Sequence, residues 1–209
     1  MRVTLLGATG ATGALLLPLL ERDHDVTVLA RRPDRVAAGS PGTRLRRGDA
    51  TDPAAVRDAV AAAEAVVTLV AAPRGEAPGT VRSQATGVLL SAAREAAPGA
   101  HLVLVSALGG AASAGQLSWF GRMIYAAAVG RERLAEVDRQ ERLVTGATLP
   151  ATLVRPPKLD DGPATGALEV TGRVGASQSL HRADLAAFLA DVVRHRPSGP
   201  RAVTVVSKR

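Results

Sequence analysis

Cysteine is absent from this chain of 209 residues, and aromatic residues make up only 2% of it. Without thiols the chain can form no disulfide, no thiolate metal site and no iron–sulfur cluster, and it has no cysteine nucleophile. With so few aromatic rings it also has no stacking platform for nucleic-acid bases. The composition therefore excludes disulfide scaffolds and cysteine-based enzymes, and we expect no metal site.

Lysine is scarce as well, because the chain has only two lysines and owes its net charge of +7 mainly to arginine. The arginines are scattered along the sequence rather than gathered into one basic segment. We therefore expect no nucleic-acid partner, although a mildly positive surface would attract anionic cofactors and substrates.

Long apolar runs are also missing. None approaches the ~18 residues of a membrane-spanning helix, and the first residues are typical of a strand rather than of a secretory signal. The chain is nevertheless 46% hydrophobic, which is enough for the core of one α/β domain. We expect a cytoplasmic protein with no membrane partner.

A glycine-rich string lies between the first apolar run and a helical one: Gly7, Ala8, Thr9, Gly10, Ala11, Thr12 and Gly13. Strand, glycine turn and helix follow in the order of a dinucleotide site. Gly7 allows a tight turn, Gly10 lets a pyrophosphate approach the backbone, and Gly13 lets the helix pack close to the sheet. The helix directs free N–H groups and its positive dipole end at the phosphates. The alternative is a glycine-rich turn of another α/β protein.

Apolar runs alternate with helical stretches along the rest of the chain. Strands are predicted at 2–6, 26–30, 44–46, 65–69, 101–106, 151–155 and 202–206, and helices at 10–22, 53–61, 80–97, 134–144 and 182–194. Asp52 followed by Pro53 predicts a helix start, and Pro98 with Gly99 predicts a helix end. The structure of residues 107–128 stays open. We predict an α/β fold: a single doubly wound parallel (Rossmann) sheet over residues 1–209, with helices on both faces. A small C-terminal portion completes it, and residues 107–130 and 157–181 line the substrate side.

Arginines stand where a dinucleotide fold often keeps an acid for the adenosine ribose. Arg31 and Arg32 follow the second strand, and Arg31 can bind a 2′-phosphate and stack on adenine, which favours NADPH over NADH. The alternative is a solvated arginine pair. Asp49 and Ala50 follow the third strand and are assigned to the cofactor. The Asp49 carboxylate either accepts from the adenine amino group or only shapes its turn.

The fourth and fifth strands supply candidates nearer the reacting end. Val70 and Ala71 suit a backbone that passes close to the cofactor ribose, and Arg74 faces the pyrophosphate, an anionic substrate or solvent. Ser106 and Ala107 close the fifth strand at the edge where such sheets bind ligands. The Ser106 hydroxyl either lies near the nicotinamide as the catalytic, orienting group or bonds its own backbone.

Two prolines follow the sixth strand and force an extended turn. Pro156 and Pro157 are predicted to form a wall beside the nicotinamide. Lys158 comes next and either contacts a phosphate or substrate or is merely exposed.

The strings at 7–13, 26–31, 48–49, 105–107, 154–157, 161–166 and 181–186 carry a family resemblance. The chain resembles the atypical short-chain dehydrogenase/reductase family, in particular the NAD(P)H-binding group that includes biliverdin-IXβ reductase (flavin reductase) and NmrA-like proteins. The resemblance implies a monomer that binds NADPH along residues 7–13, Arg31, Asp49, Arg74 and Ser106. It implies hydride transfer to a flat conjugated acceptor beside residues 156–159.

The chain departs from that family at two positions. The Tyr-x-x-x-Lys pair of typical members is missing, because Tyr125 is the only tyrosine and Val129 stands where the lysine would be. We expect Tyr125 to be a packing residue. Glu141 appears at the place of a histidine of the biliverdin-IXβ type, which favours an acceptor that needs little proton donation. His181 opens the last helix and is expected to be structural.

Three functions follow from this pattern. The first is an NADPH-dependent reductase of a flavin, quinone or tetrapyrrole-like acceptor. The second is an NmrA-like regulator that binds NADP without chemistry. The third is an epimerase or dehydratase of nucleotide sugars, which ranks last because the chain is short and lacks the Tyr/Lys pair.

Overall fold

The computed structural model describes residues 1–72, 76–77, 79–175, 178–197 and 201–208. The first part of the chain alternates strands and helices in this order: β1 (Arg2–Leu6), α1 (Ala11–Leu20), β2 (Asp25–Ala30), β3 (Arg44–Arg47), α2 (Pro53–Val60), β4 (Ala65–Thr68), α3 (Val81–Ala96) and β5 (His101–Val105). The second part is less regular: α4 (Trp119–Val129), α5 (Arg131–Thr145), β6 (Ala151–Arg155), β7 (Lys158–Asp160), β8 (Leu168–Val170), β9 (Ser179–His181), α6 (Arg182–His195) and β10 (Arg201–Ser207).

Eight strands form one sheet in the order β3-β2-β1-β4-β5-β6-β10-β8. All neighbours are parallel except β8, which runs antiparallel to β10. The strand order reverses between β1 and β4, where Leu5 lies beside Val28 on one side and Val67 on the other. Open α/β sheets bind ligands at the carboxyl ends of their strands beside such a reversal.

Two apolar cores cover the two faces of this sheet. Alternate residues of each strand point to opposite faces, so Leu5 packs with α1 and α6 whereas Leu6 packs with α2 and α3. Both leucines are 0% exposed. This double cover explains why the central strands are near-continuous apolar runs. The doubly wound Rossmann fold predicted from the sequence is confirmed.

Helix α2 begins and helix α3 ends where the sequence predicted. Asp52 caps α2, because its carboxylate accepts from the Ala54 N–H at 3.0 Å and Pro53 occupies the first helical position. Helix α3 ends at Ala96, just before Pro98 and Gly99. The Asp52 cap satisfies a backbone N–H that helix α2 itself leaves unpaired.

The second part of the chain differs from the sequence prediction in three ways. Helix α4 occupies the end of the segment 107–128 whose structure was left open and extends one residue beyond it. Strands β7 and β9 form a separate parallel pair, and β8 adds an antiparallel edge to the sheet. Strands of three residues are too short to show a period of two, and α4 is apolar on most of its circumference, so neither carries a clear periodic signal. Within the described residues, no helix is both long and apolar enough to cross a membrane.

Candidate cofactor and acceptor cleft

A cleft of about 990 Å³ lies along the carboxyl ends of β1, β4, β5 and β6. Eleven of the predicted site residues line it: Gly7, Gly10, Ala11, Thr12, Gly13, Ala71, Ser106, Ala107, Pro156, Pro157 and Lys158. The cleft continues past Ser106 to helix α4 and the segment around Val174. One continuous space therefore joins the glycine turn to the part of the chain assigned to the substrate.

The glycine turn fits a dinucleotide because two positions leave no room for a side chain. Gly7 has φ +94°, and a Cβ there would lie 3.1 Å from the backbone of Leu69. A Cβ on Gly13 would lie 2.2 Å from the Gly7 carbonyl oxygen and 2.8 Å from the Ala8 Cα. The turn thus brings the start of α1 directly against the end of β1, as a pyrophosphate-binding turn requires.

The start of α1 provides donors at the same place. Gly10 is the N-cap, and the first intrahelical bond runs from the Ala14 N–H to the Gly10 carbonyl oxygen at 2.9 Å. The N–H groups of Ala11, Thr12 and Gly13 precede that bond, so an anion in the cleft can accept from them. Ala8 is buried in the core at 3% exposure and Thr9 is exposed. These two residues lie outside the cleft lining, and their contacts with a cofactor stay predictions.

Arg31 and Asp49, the two residues predicted to contact the adenosine, carry opposite charges and are solvent-accessible. The side chain of Arg31 is 73% exposed, and its Nε lies 4.0 Å from the Asp49 carboxylate. The Thr51 N–H and hydroxyl both donate to the other carboxylate oxygen of Asp49, at 2.9 and 2.7 Å. These bonds lower the pKa of Asp49, with Arg31 contributing less. Asp49 therefore shapes its turn, and its contact with adenine stays a prediction.

Other predicted residues lie away from the cleft lining or outside the described chain. Arg32 is exposed, and Ala50 and Val70 are half-buried. Their roles stay predictions. Arg74 lies outside the described residues.

Ser106 belongs to a buried polar triad behind the floor of the cleft. Its hydroxyl donates to Glu141 at 2.9 Å rather than to its own backbone, and its place near the nicotinamide stays a prediction. Arg155 at the end of β6 donates to both carboxylate oxygens of Glu141, at 2.9 and 2.6 Å. Ser106, Glu141 and Arg155 are 3%, 3% and 6% exposed. The position at which the resemblance implies a histidine thus holds a carboxylate that is neutralised by arginine and orients Ser106.

Helix α4 forms the far wall of the cleft. Three of the four aromatic residues of the chain lie on it: Trp119, Phe120 and Tyr125. Tyr125 lines the cleft and also packs against the small core around Leu108. Its ring lies over Gly109, where a Cβ would approach it to 2.6 Å. Tyr125 is therefore a packing residue, as predicted, and in addition a wall of the cleft.

Polar contacts tie the C-terminal wall to α6. His181 is the N-cap residue of α6 and bonds the Asp160 carboxylate, whereas Arg182 bonds Asp161. The hydrogen bonds of Asp160 with Ser179 and His181 lower its pKa. The buried Asp184 carboxylate accepts from the Thr165 hydroxyl at 2.8 Å and from two backbone N–H groups at 2.9 Å. The structural role predicted for His181 agrees with these contacts.

Comparison with known proteins identifies the family. A family model described as NAD(P)H-binding matches residues 7–196. The chain belongs to the NAD(P)H-binding family. No group of three or more metal-ligating side chains is found among the described residues.

Solved structures with the same fold cover nearly the whole chain. The oxidoreductase ylbE from Lactococcus lactis has a TM-score of 0.84 at 19% identity, over 100% of this chain and 92% of its own. ChuY from Escherichia coli O157:H7, an anaerobillin reductase, has a TM-score of 0.81 at 23% identity, over 99% and 97%. A short-chain dehydrogenase/reductase from Veillonella parvula, solved with NADP, has a TM-score of 0.78 at 15% identity, over 98% and 93%. At these identities the similarity establishes the fold.

The two ranges predicted to line the substrate side, 107–130 and 157–181, supply many lining residues of the cleft: Leu108, Leu117, Gly121, Ile124, Tyr125, Ala128, Val129, Leu159, Val174 and Gln178. Their contact with a substrate stays a prediction. The sequence prediction missed lining residues outside those ranges, which include Leu69, Ala72, Arg82, Glu136 and Val137. They come from segments far apart in the chain, and only the tertiary fold brings them together. The sequence did contain one signal for helix α4 as a wall of the cleft, because a chain with so few aromatic residues places three of them within seven positions.

Proposed function

We propose that this protein is an NADPH-dependent reductase that transfers hydride to a flat conjugated acceptor, such as a flavin, a quinone or a tetrapyrrole-like molecule. The observation that carries the proposal is the continuous cleft from the glycine turn past Ser106 to the apolar wall of α4. The fold similarity to an anaerobillin reductase and to a reductase solved with NADP supports it.

The residues present fit a dinucleotide. The turn from Gly7 to Gly13 would hold its pyrophosphate, and Arg31 would hold the 2′-phosphate. Bound NADPH supplies the hydride. The chain's own contribution is to hold donor and acceptor in one narrow cleft, which removes the entropic cost of bringing them together at the moment of reaction.

Ser106 accepts rather than donates at the cleft. A serine has one O–H, and here it is directed at Glu141. Both oxygens of Glu141 accept from the Arg155 guanidinium, so Ser106 is the donor in its hydrogen bond with Glu141. Ser106 can therefore orient a ligand N–H or O–H through its lone pairs. This arrangement suits an acceptor that takes its proton from solvent.

Tyr125 does not replace the missing acid. Burial raises the pKa of Tyr125, and Val129 stands where a lysine would lower it. The phenol therefore stays protonated near neutral pH and holds its proton more tightly than an activated tyrosine would. Catalysis by a Tyr/Lys pair is not part of the proposal.

The preference for NADPH and the partner class belong to the same proposal. The exposed Arg31 can turn toward a 2′-phosphate, whereas NADH would leave it without that partner. The scarcity of aromatic residues favours a small-molecule partner over a nucleic acid. We further propose that the protein acts as a monomer in the cytoplasm.

The test mixes the protein and NADPH with one acceptor at a time: riboflavin, FMN, menadione or a redox dye. The expected result is consumption of NADPH with at least one acceptor, faster than with NADH at equal concentration. Tight binding of NADPH without its consumption by any acceptor would overturn the reductase proposal and support the NmrA-like regulator instead.

A further inference from the structure

Arg82 is a half-buried arginine that lines the cleft next to Ser106. It lies in the first turn of α3 and reaches across to β5 and α5. Its Nη1 donates to the Val105 carbonyl oxygen at 3.0 Å and to the Gln140 side-chain oxygen at 3.3 Å. Both acceptors are neutral, so these bonds position the guanidinium without compensating its charge.

The acidic side chains near Arg82 are already paired with other arginines. Glu136 accepts from Arg139 at 2.8 Å and from the Ser83 N–H and hydroxyl at 2.7 and 2.9 Å. Glu141 is held by Arg155. Among the described residues, no carboxylate oxygen lies within the 4.0 Å of a salt bridge to Arg82.

A desolvated cation with no carboxylate in direct contact is costly, because it has lost water and Glu136 and Glu141 offset its charge only in part. Burial accordingly lowers the pKa of Arg82, although a guanidinium stays charged at any physiological pH. Since Arg82 lines the cleft, an anionic ligand can supply the direct partner of opposite charge that the described residues do not, through charge-assisted hydrogen bonds.

We propose that Arg82 forms an anion-binding subsite for a carboxylate, sulfonate or phosphate group of the acceptor. This inference rests on the proposed reductase function. Because Arg82 holds the carbonyl of Val105, directly before Ser106, the anionic group belongs on or beside the conjugated ring at the reacting end. The favoured acceptor is thus an anionic conjugated molecule, and a neutral one lacks this contact.

The first test measures binding without turnover, in the presence of saturating NADP⁺. Naphthalene-2-sulfonate and naphthalene-2-sulfonamide share one ring system and differ in charge. The wild-type protein is expected to bind the sulfonate about tenfold more tightly, which corresponds to about 1.4 kcal/mol. In Arg82→Gln this preference should fall to near unity, and Arg82→Lys should retain part of it. Equal affinities of the wild type for the two probes would overturn the subsite, whatever the variants do.

Arg94→Gln is the matched control, because Arg94 is exposed on the same helix and its removal changes the net charge equally. It should keep the full sulfonate preference. A loss of preference in Arg94→Gln as large as that in Arg82→Gln would show a general charge effect and overturn the proposal. A loss of NADP⁺ affinity in Arg82→Gln, with the sulfonate preference intact, would assign Arg82 to the cofactor and overturn it as well.

The second test separates this inference from the proposed function. NADPH consumption is followed with 1,4-naphthoquinone and with its 2-sulfonate. Arg82→Gln should lower the ratio of kcat/KM for the sulfonate to that for the neutral quinone about tenfold. Reduction of both quinones by the wild type with no change of that ratio would leave the reductase standing and overturn the subsite. Failure to reduce any acceptor would count against the reductase, and the binding test would still decide the subsite.

Discussion

The two ends of the cleft are built in different ways. The glycine turn at the cofactor end is one contiguous segment, in which Gly7 and Gly13 bring a strand and a helix together by the absence of side chains. The acceptor end is assembled from α4, α5 and the segment around β7 and β9, and buried charges hold its floor. In the proposed function, the cofactor contacts mainly backbone groups of this turn, whereas the acceptor contacts side chains that single substitutions can change.

The largest expected effect is at the floor of the acceptor end. Glu141→Ala leaves the buried Arg155 guanidinium without its partner, and breaking such a pair costs about 3–5 kcal/mol. Urea unfolding of this variant should show that loss. Glu132→Ala is the control, because Glu132 is an exposed acid in the first turn of the same helix. A small loss in Glu141→Ala would mean that the charged floor is not what holds this end.

The same site offers a sharper version of that test. The double replacement Glu141→Leu with Arg155→Met removes both charges and keeps apolar volume, so it should recover most of the stability lost by Glu141→Ala. It should still remove the orientation of the Ser106 hydroxyl. Recovered stability together with an unaltered KM and kcat would contradict a positioning role for Glu141.

The next effect is expected at the glycine turn. In Gly13→Ala the new methyl group would lie 2.2 Å from the Gly7 carbonyl oxygen, and such overpacking costs about 1–3 kcal/mol of unfolding free energy. The displaced turn should also lower NADP⁺ affinity at least about tenfold, equivalent to about 1.4 kcal/mol. Gly99→Ala is the control, because a Cβ there meets nothing within 4 Å. An unaltered NADP⁺ affinity in Gly13→Ala would contradict the assignment of the turn to the cofactor.

A smaller effect, on affinity alone, is expected at the exposed part of the cofactor end. Arg31→Ala and Arg31→Asp should weaken NADPH binding much more than NADH binding, by about 1.5–3 kcal/mol for a lost charged contact. Titration of both cofactors checks this difference. Arg22→Ala serves as the control, since Arg22 is also exposed and lies in the turn after α1. Equal weakening of the two cofactors would remove the basis for NADPH preference.

The smallest effect is expected on the outer face of α4. Trp119 is 73% exposed, so Trp119→Ala should change the unfolding free energy by no more than about 0.5 kcal/mol. Leu108→Ala at the same end should cost about 2–5 kcal/mol, because Leu108 is fully buried beneath the helix. Comparable losses in the two variants would show that α4 is part of the core rather than a wall laid over it.

The sequence was sufficient for the cofactor end because its signals are local. Strand, glycine turn, helix and the cap at Asp52 are each read from neighbouring residues, and the structure places them as predicted. The roles of Glu141 and Arg82 could not be predicted from the sequence, because they depend on hydrogen bonds to residues 35 and 23 positions away in the chain. Helix α4 has only one charged residue, so periodicity alone could not distinguish a helix from a buried strand there.

The arginines on the edge strand β3 have a consequence for self-association that does not depend on any ligand. Strand β3 is the outermost strand, and Arg44, Arg46 and Arg47 on it are all exposed. An unpaired strand edge is a template on which another chain can add. A second copy approaching edge to edge would bring its own three guanidinium groups against these, and the repulsion opposes pairing. This protection depends on charge, so added salt weakens it, and concentrated solutions of this protein should remain clear longest at low ionic strength.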